Sequence, residues 1–156
     1  MTIGWIAPTA PVLGFSAALE SRHWRSALRL MLTTEQSFDI DPGRVIVQGW
    51  LVTLLTCARA ASGQFGGALC AALDAAMLRA GGQGYAEATP ATRGYGAVGL
   101  ELQPTWTLAS RYRISAAFGG LLPFTQESFS VSGVAVAYVP PPLNWRALLL
   151  LELGAF

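Results

Sequence analysis

Between Arg25 and Glu35 the chain alternates residue by residue. Arg25, Ala27, Arg29, Met31, Thr33 and Glu35 form one set, and Ser26, Leu28, Leu30, Leu32 and Thr34 form the other. Successive side chains of a strand point to opposite faces, so this period of two predicts a strand with one polar and one apolar face. The same phase recurs twice. In "RYRISAAF" Arg111, Arg113 and Ser115 oppose Tyr112, Ile114, Ala116 and Phe118; in "GAVGLELQ" Gly99, Glu101 and Gln103 oppose Val98, Leu100 and Leu102. "GALCAALDAAMLRAGG" has the alanine content of a helix. Read as a strand, it turns Leu69, Ala71, Leu73, Ala75 and Met77 to one face and Cys70, Asp74 and Ala76 to the other.

Eight such runs are predicted, at approximately 1–7, 11–20, 25–36, 44–58, 65–80, 93–103, 110–122 and 145–156. The breaks between them are "PTAP", "SRHW", "SFDIDPG", "ASGQ", "GGQGYAEATPAT" and "PTWTLAS", all rich in turn-forming residues. Residues 123–144 contain the strand-like "ESFSVSGVAVAYV". They are expected to extend the seventh run into a hairpin turning at Ser132-Gly133, which brings Pro123 near Pro140 to Pro142 at a rim.

Composition changes what these strands are for. Hydrophobic residues make up 53% of the 156 and charged residues 12%, with a mean hydropathy of +0.44. A membrane setting follows, yet no run of about 18 apolar residues is free of charges and breakers. A backbone in lipid must then satisfy its hydrogen bonds in a closed sheet. The expected fold is all-β, a closed antiparallel up-and-down eight-stranded transmembrane β-barrel occupying residues 1–156 as a single domain. The net charge of +1 gives no electrostatic footprint for nucleic acid or anionic surfaces. All ten positive side chains are arginine, which mainly reflects a GC-rich genome.

Candidate chemistry is sparse. Cys57 and Cys70 lie at equal distances from a turn between Gly63 and Gln64, which sets them opposite each other in a hairpin. A disulfide is expected in an oxidising compartment, the alternative being two buried thiols. Two thiolates with no histidine nearby do not make a metal site. The polar face collects Arg29, Asp74, Glu101 and Arg113. With a turn centred near Thr107, Glu101 is expected opposite Arg113, with Asp74 beside it on the next strand. Eight strands leave only enough interior for side chains, so these four read as a lumen ion network; a catalytic carboxylate pair or proton path is the other reading. His23, the one histidine, falls in the "SRHW" turn, which counts against catalysis with it. Trp24, Trp106 and Trp145 are expected at strand ends as membrane-interface aromatics. The glycine clusters lack a GxxxxGK[ST] pattern and read as loop, not phosphate cradle, and no cofactor is expected.

Three segments together resemble the small outer-membrane barrel proteins of myxobacteria over nearly the full length: "RVIVQGWLVTLLTCARAASGQFGGALCAALDAAMLRAGGQG", "YGAVGLEL" and "PPPLNWRALLLLELGAF". The resemblance implies an eight-stranded barrel in the outer membrane, held by outer-membrane lipid and delivered by the barrel-assembly machinery. That machinery reads a final amphipathic strand, and Phe156 looks like its C-terminal signal. Arg146 and Glu152 share the parity of Phe156, so a bulge near Gly154 is expected if Phe156 faces lipid. "MTIGWIAPTAP" has neither a basic n-region nor a cleavage site, so no signal peptide is legible in these residues and export requires one upstream of Met1. With Phe156 at the periplasmic end, "SRHW", "ASGQ" and "PTWTLAS" become periplasmic turns and the longer connections face outside. The expected role is structural, or an interaction through surface loops with a partner the sequence does not identify. Neither an enzyme nor an open pore is expected. The rivals are a soluble lipocalin-like carrier of an apolar ligand and a lipid-modifying barrel enzyme.

Overall fold

The computed structural model describes residues 12–40, 43–84, 91–125, 129–131, 134–138 and 142–154. Nine strands appear among them: β1 (Val12–Glu20), β2 (Trp24–Ile40), β3 (Gly43–Ser62), β4 (Phe65–Gln83), β5 (Ala91–Ala109), β6 (Tyr112–Pro123), β7 (Phe129–Val131), β8 (Val134–Tyr138) and β9 (Asn144–Leu153). Seven form one curled antiparallel half-barrel sheet in the order β1-β2-β3-β4-β5-β6-β9, and β7 pairs only with β8. Each strand of the large sheet bonds to its neighbours along the chain, with the β7–β8 hairpin set between β6 and β9. No helix is present among the described residues.

The alternation decides the faces. On β2, Arg25, Ala27, Arg29, Met31 and Thr33 are buried on the concave side, whereas Leu28 and Leu32 are exposed on the convex one. The alanine-rich segment is a strand, β4, because Leu69, Ala71, Leu73, Ala75 and Met77 all fall outward while Cys70, Ala72, Asp74, Ala76 and Leu78 fall inward. A helix would have scattered that pattern around its circumference. A bulge between Thr33 and Gln36 shifts the β2–β3 register. There the Thr33 hydroxyl both accepts from the Gly49 amide and donates to the Gly49 carbonyl, replacing ladder bonds the bulge disrupts.

Several expected boundaries move. The predicted first strand, 1–7, and the hairpin turn Ser132-Gly133 lie outside the described residues. The β7–β8 hairpin forms, but as a separate two-stranded sheet; β6 ends at Pro123 and does not run into it. Most of "SFDIDPG" is strand, since β2 runs to Ile40 and β3 starts at Gly43.

"PTWTLAS" is not a break. Pro104 to Ala109 continue β5, and the turn falls at Ser110-Arg111. Pro104 is accommodated because it pairs with Gly67 on one side, while the β5–β6 ladder skips from Leu102↔Phe118 to Thr105↔Ser115 on the other, where no amide is required of it. The β3–β4 turn is equally short, with Ser62 opposite Phe65 and Gly63 at φ 62°, a left-handed conformation that glycine adopts without a Cβ penalty.

Candidate functional site

The concave face is ionic through its middle. Arg146 of β9 spreads its guanidinium between two carboxylates: Nε and Nη2 donate to Glu101 Oε2 at 3.1 and 2.9 Å, and Nη1 donates to Asp74 Oδ2 at 2.8 Å and to the Thr53 hydroxyl at 3.3 Å. Arg29 reaches Glu101 from the other side with two bonds of 3.1 and 3.2 Å, and the Gln103 amide donates to Glu101 as well. Arg29, Asp74, Glu101 and Arg146 are each 4% exposed or less. Two arginines and two carboxylates cancel within the group. Each charge keeps its partners at bonding distance, which a buried ion requires. Glycines clear the space: Glu101 stands opposite Gly119, where an added Cβ would press on the Leu100 carbonyl and the Glu101 Cβ.

A second cluster closes the end with the short turns. Arg25 and Arg113 both bond Glu20 and Glu152, Arg59 bonds Glu20 at 2.8 Å, and the Ser115 hydroxyl donates to Glu152 at 2.9 Å. Between the clusters lies the Cys57–Cys70 disulfide, fully buried, its Cα atoms 3.9 Å apart on directly paired positions of β3 and β4. Beyond the middle cluster the interior turns apolar, with Met31, Val45, Val47, Leu51, Leu78 and Leu148 packed together.

Of the four residues expected in one lumen network, Arg29, Asp74 and Glu101 lie together and Arg113 belongs to the second cluster. The expected Glu101–Arg113 pairing is not found. With the turn at Ser110-Arg111, Glu101 is opposite Gly119 and Arg113 opposite Thr107. Asp74 is not level with Glu101 either, since Asp74 pairs with Ala97 and Cys70 with Glu101; Arg146 connects the two carboxylates by its length. Arg146 joins the middle cluster beyond the four expected residues, and Glu20, Arg25, Arg59 and Glu152 join the second. The signal was present in the parity of "NWRALLLLEL", where Asn144, Arg146, Leu148, Leu150 and Glu152 all turn inward. Phe156, the expected assembly signal, lies outside the described residues.

The convex face is the reverse. Trp24, Leu28 and Leu32 on β2, Trp50 and Leu54 on β3, Leu69, Leu73 and Met77 on β4, and Trp145, Leu149, Leu151 and Leu153 on β9 are all more than 40% exposed. Trp24 opens β2 and Trp106, near the end of β5, stacks on Phe65 at 6.1 Å, so both sit with Tyr112 at the short-turn end; Trp145 sits at the opposite end, near the start of β9. Trp50 was missed because it lies inside a run, not beside a turn. It stands between Leu32 and Met77, and the next outward row is Gln48, Arg79 and Thr92, where the face becomes polar. The edges β1 and β9 flank a cleft of about 600 Å³ lined by Gly14, Ser16, Glu20, Leu148, Leu150 and Glu152. His23 is an exposed turn residue whose carbonyl accepts from the Arg59 amide. No family model, curated protein sequence or solved structure matches the chain.

Proposed function

We propose that the chain is an outer-membrane β-barrel of eight strands, with a filled lumen and a structural or loop-mediated role. One observation carries this reading: charge is buried on the concave face while large apolar side chains are exposed on the convex face. A soluble carrier of an apolar ligand needs the opposite arrangement, its apolar side chains inside and its arginines in water.

Dimensions support a lipid partner for the convex face. Trp24 to Leu32, Trp50 to Ala58 and Trp145 to Leu153 each advance about 26 Å along their strands, or about 20 Å along the membrane normal at a tilt of ~40°. That suits the roughly 9–11 residues of a spanning strand. The ionic clusters and the Met31–Leu148 group occupy the space a solute would need, so the reading is of a plugged barrel and not a channel. The same tie of every lumen carboxylate to arginine favours structure over catalysis. Assembly machinery engaging β9 remains the proposed route to the membrane, as the resemblance to the myxobacterial barrels implies.

The test is refolding of the urea-denatured full chain into detergent micelles and into phosphatidylcholine vesicles. A barrel runs faster on a gel unheated than boiled, and its convex face resists protease only in the presence of detergent or lipid. A chain that stays soluble and folded without either, with one gel mobility, overturns the proposal.

A further inference from the structure

The charges of this molecule are sorted along its length. At the short-turn end, among the described residues, Arg22, Arg25, Arg59, Arg111 and Arg113 face only Glu20 and Glu152. Three of those arginines share the two carboxylates, which leaves one positive charge over. Arg22 and Arg111 are both exposed in turns, one in Ser21–His23 and the other in Ser110-Arg111, and among the described residues neither is in an ion pair. The middle cluster, by contrast, is neutral.

Each of these turns stands directly against an aromatic on the convex face. Arg22 is two residues from Trp24, Arg111 is adjacent to Tyr112, and Gln64 of the third turn is adjacent to Phe65, which stacks on Trp106. Exposed tryptophan and tyrosine settle at the depth of lipid headgroups. An arginine one or two residues further out is therefore at the height of the phosphates, and its fork of donors matches a phosphate oxygen pair.

We propose that the short-turn end of the barrel is a binding surface for anionic phospholipid headgroups, with Arg22 and Arg111 as the contact residues and Arg59 adding to the field. This rests on the membrane reading above and goes beyond it, because a barrel held by its apolar belt alone would be indifferent to headgroup charge. The preference is electrostatic in origin. It is worth about fivefold per arginine, the equivalent of about 1 kcal/mol each, and it weakens once salt brings the screening length from about 10 Å to about 3 Å.

The experiment uses the refolded full chain in phosphatidylcholine bilayers carrying a trace of spin-labelled phosphatidylglycerol or spin-labelled phosphatidylcholine. The immobilised fraction of each label gives their relative association with the barrel. At 0.1 M salt the wild type selects phosphatidylglycerol several-fold, and at 1 M salt the ratio falls toward one. The double change R22Q/R111Q removes most of the selectivity, and R22K/R111K retains it. Equal association of both labels with the wild type, or undiminished selectivity in R22Q/R111Q, overturns the inference while leaving the barrel in place. If neither label is immobilised, the chain does not enter the bilayer, and the membrane reading falls together with this one.

Discussion

Glu101 is the residue on which most of the buried charge converges, receiving Arg29, Arg146 and Gln103 at once. Replacing it strands the Arg29 guanidinium away from water and leaves Arg146 with Asp74 alone, so Glu101→Gln is expected to cost about 3–5 kcal/mol in urea unfolding of the refolded protein. Adding Arg29→Met should recover a good part of that loss, because the stranded charge goes with it. A double variant no more stable than the single one would mean that Arg29 and Glu101 do not share this contact. Glu101 and Asp74 were legible as inward-facing from period two alone. Their partners were not, because an arginine side chain spans several ångströms and the parity of a strand says which face a residue takes, not which residue it meets across a lumen. Arg146 shows this well: its parity matches that of Glu152, yet Arg146 meets Asp74 and Glu101 whereas Glu152 meets Arg25 and Arg113.

At the scale of elements, alternation identified β2, β4 and β6, and the equal spacing of Cys57 and Cys70 from Gly63-Gln64 placed the β3–β4 register. The β5–β6 register was lost at Pro104. Proline commonly ends a strand, yet in a ladder that skips two pairs it removes no bond that was there to lose. The consequence is measurable. Leu102 is opposite Phe118, whereas a turn centred near Thr107 would set it opposite Tyr112. With Cys57 and Cys70 changed to alanine, the pair L102C/F118C should cross-link on mild oxidation of the refolded protein and L102C/Y112C should not. The reverse outcome would restore the shorter β5.

Over the whole molecule the sorting of side chains by face is the property that separates a lipid-facing sheet from a water-facing one. Leu100, on the convex face and 62% exposed, gives the contrast its sharpest form. In a bilayer Leu100→Arg near the midplane is expected to destabilise by about 2–4 kcal/mol, measured by denaturant titration in vesicles, while on a water-facing surface the same change would shift stability by less than about 0.5 kcal/mol.

The Cys57–Cys70 link has a meaning at this scale too. Because every strand of the meander takes its register from the strand beside it, one fixed pair supplies the phase from which all the others are counted. A slip of a single residue anywhere would turn convex-face leucines inward and concave-face arginines outward. Between β3 and β4 that error is chemically forbidden. The hairpin thus serves as the datum of the sheet: with Cys57 fixed to Cys70, Thr53 and Asp74 share the inward face, where both bond Arg146 of β9.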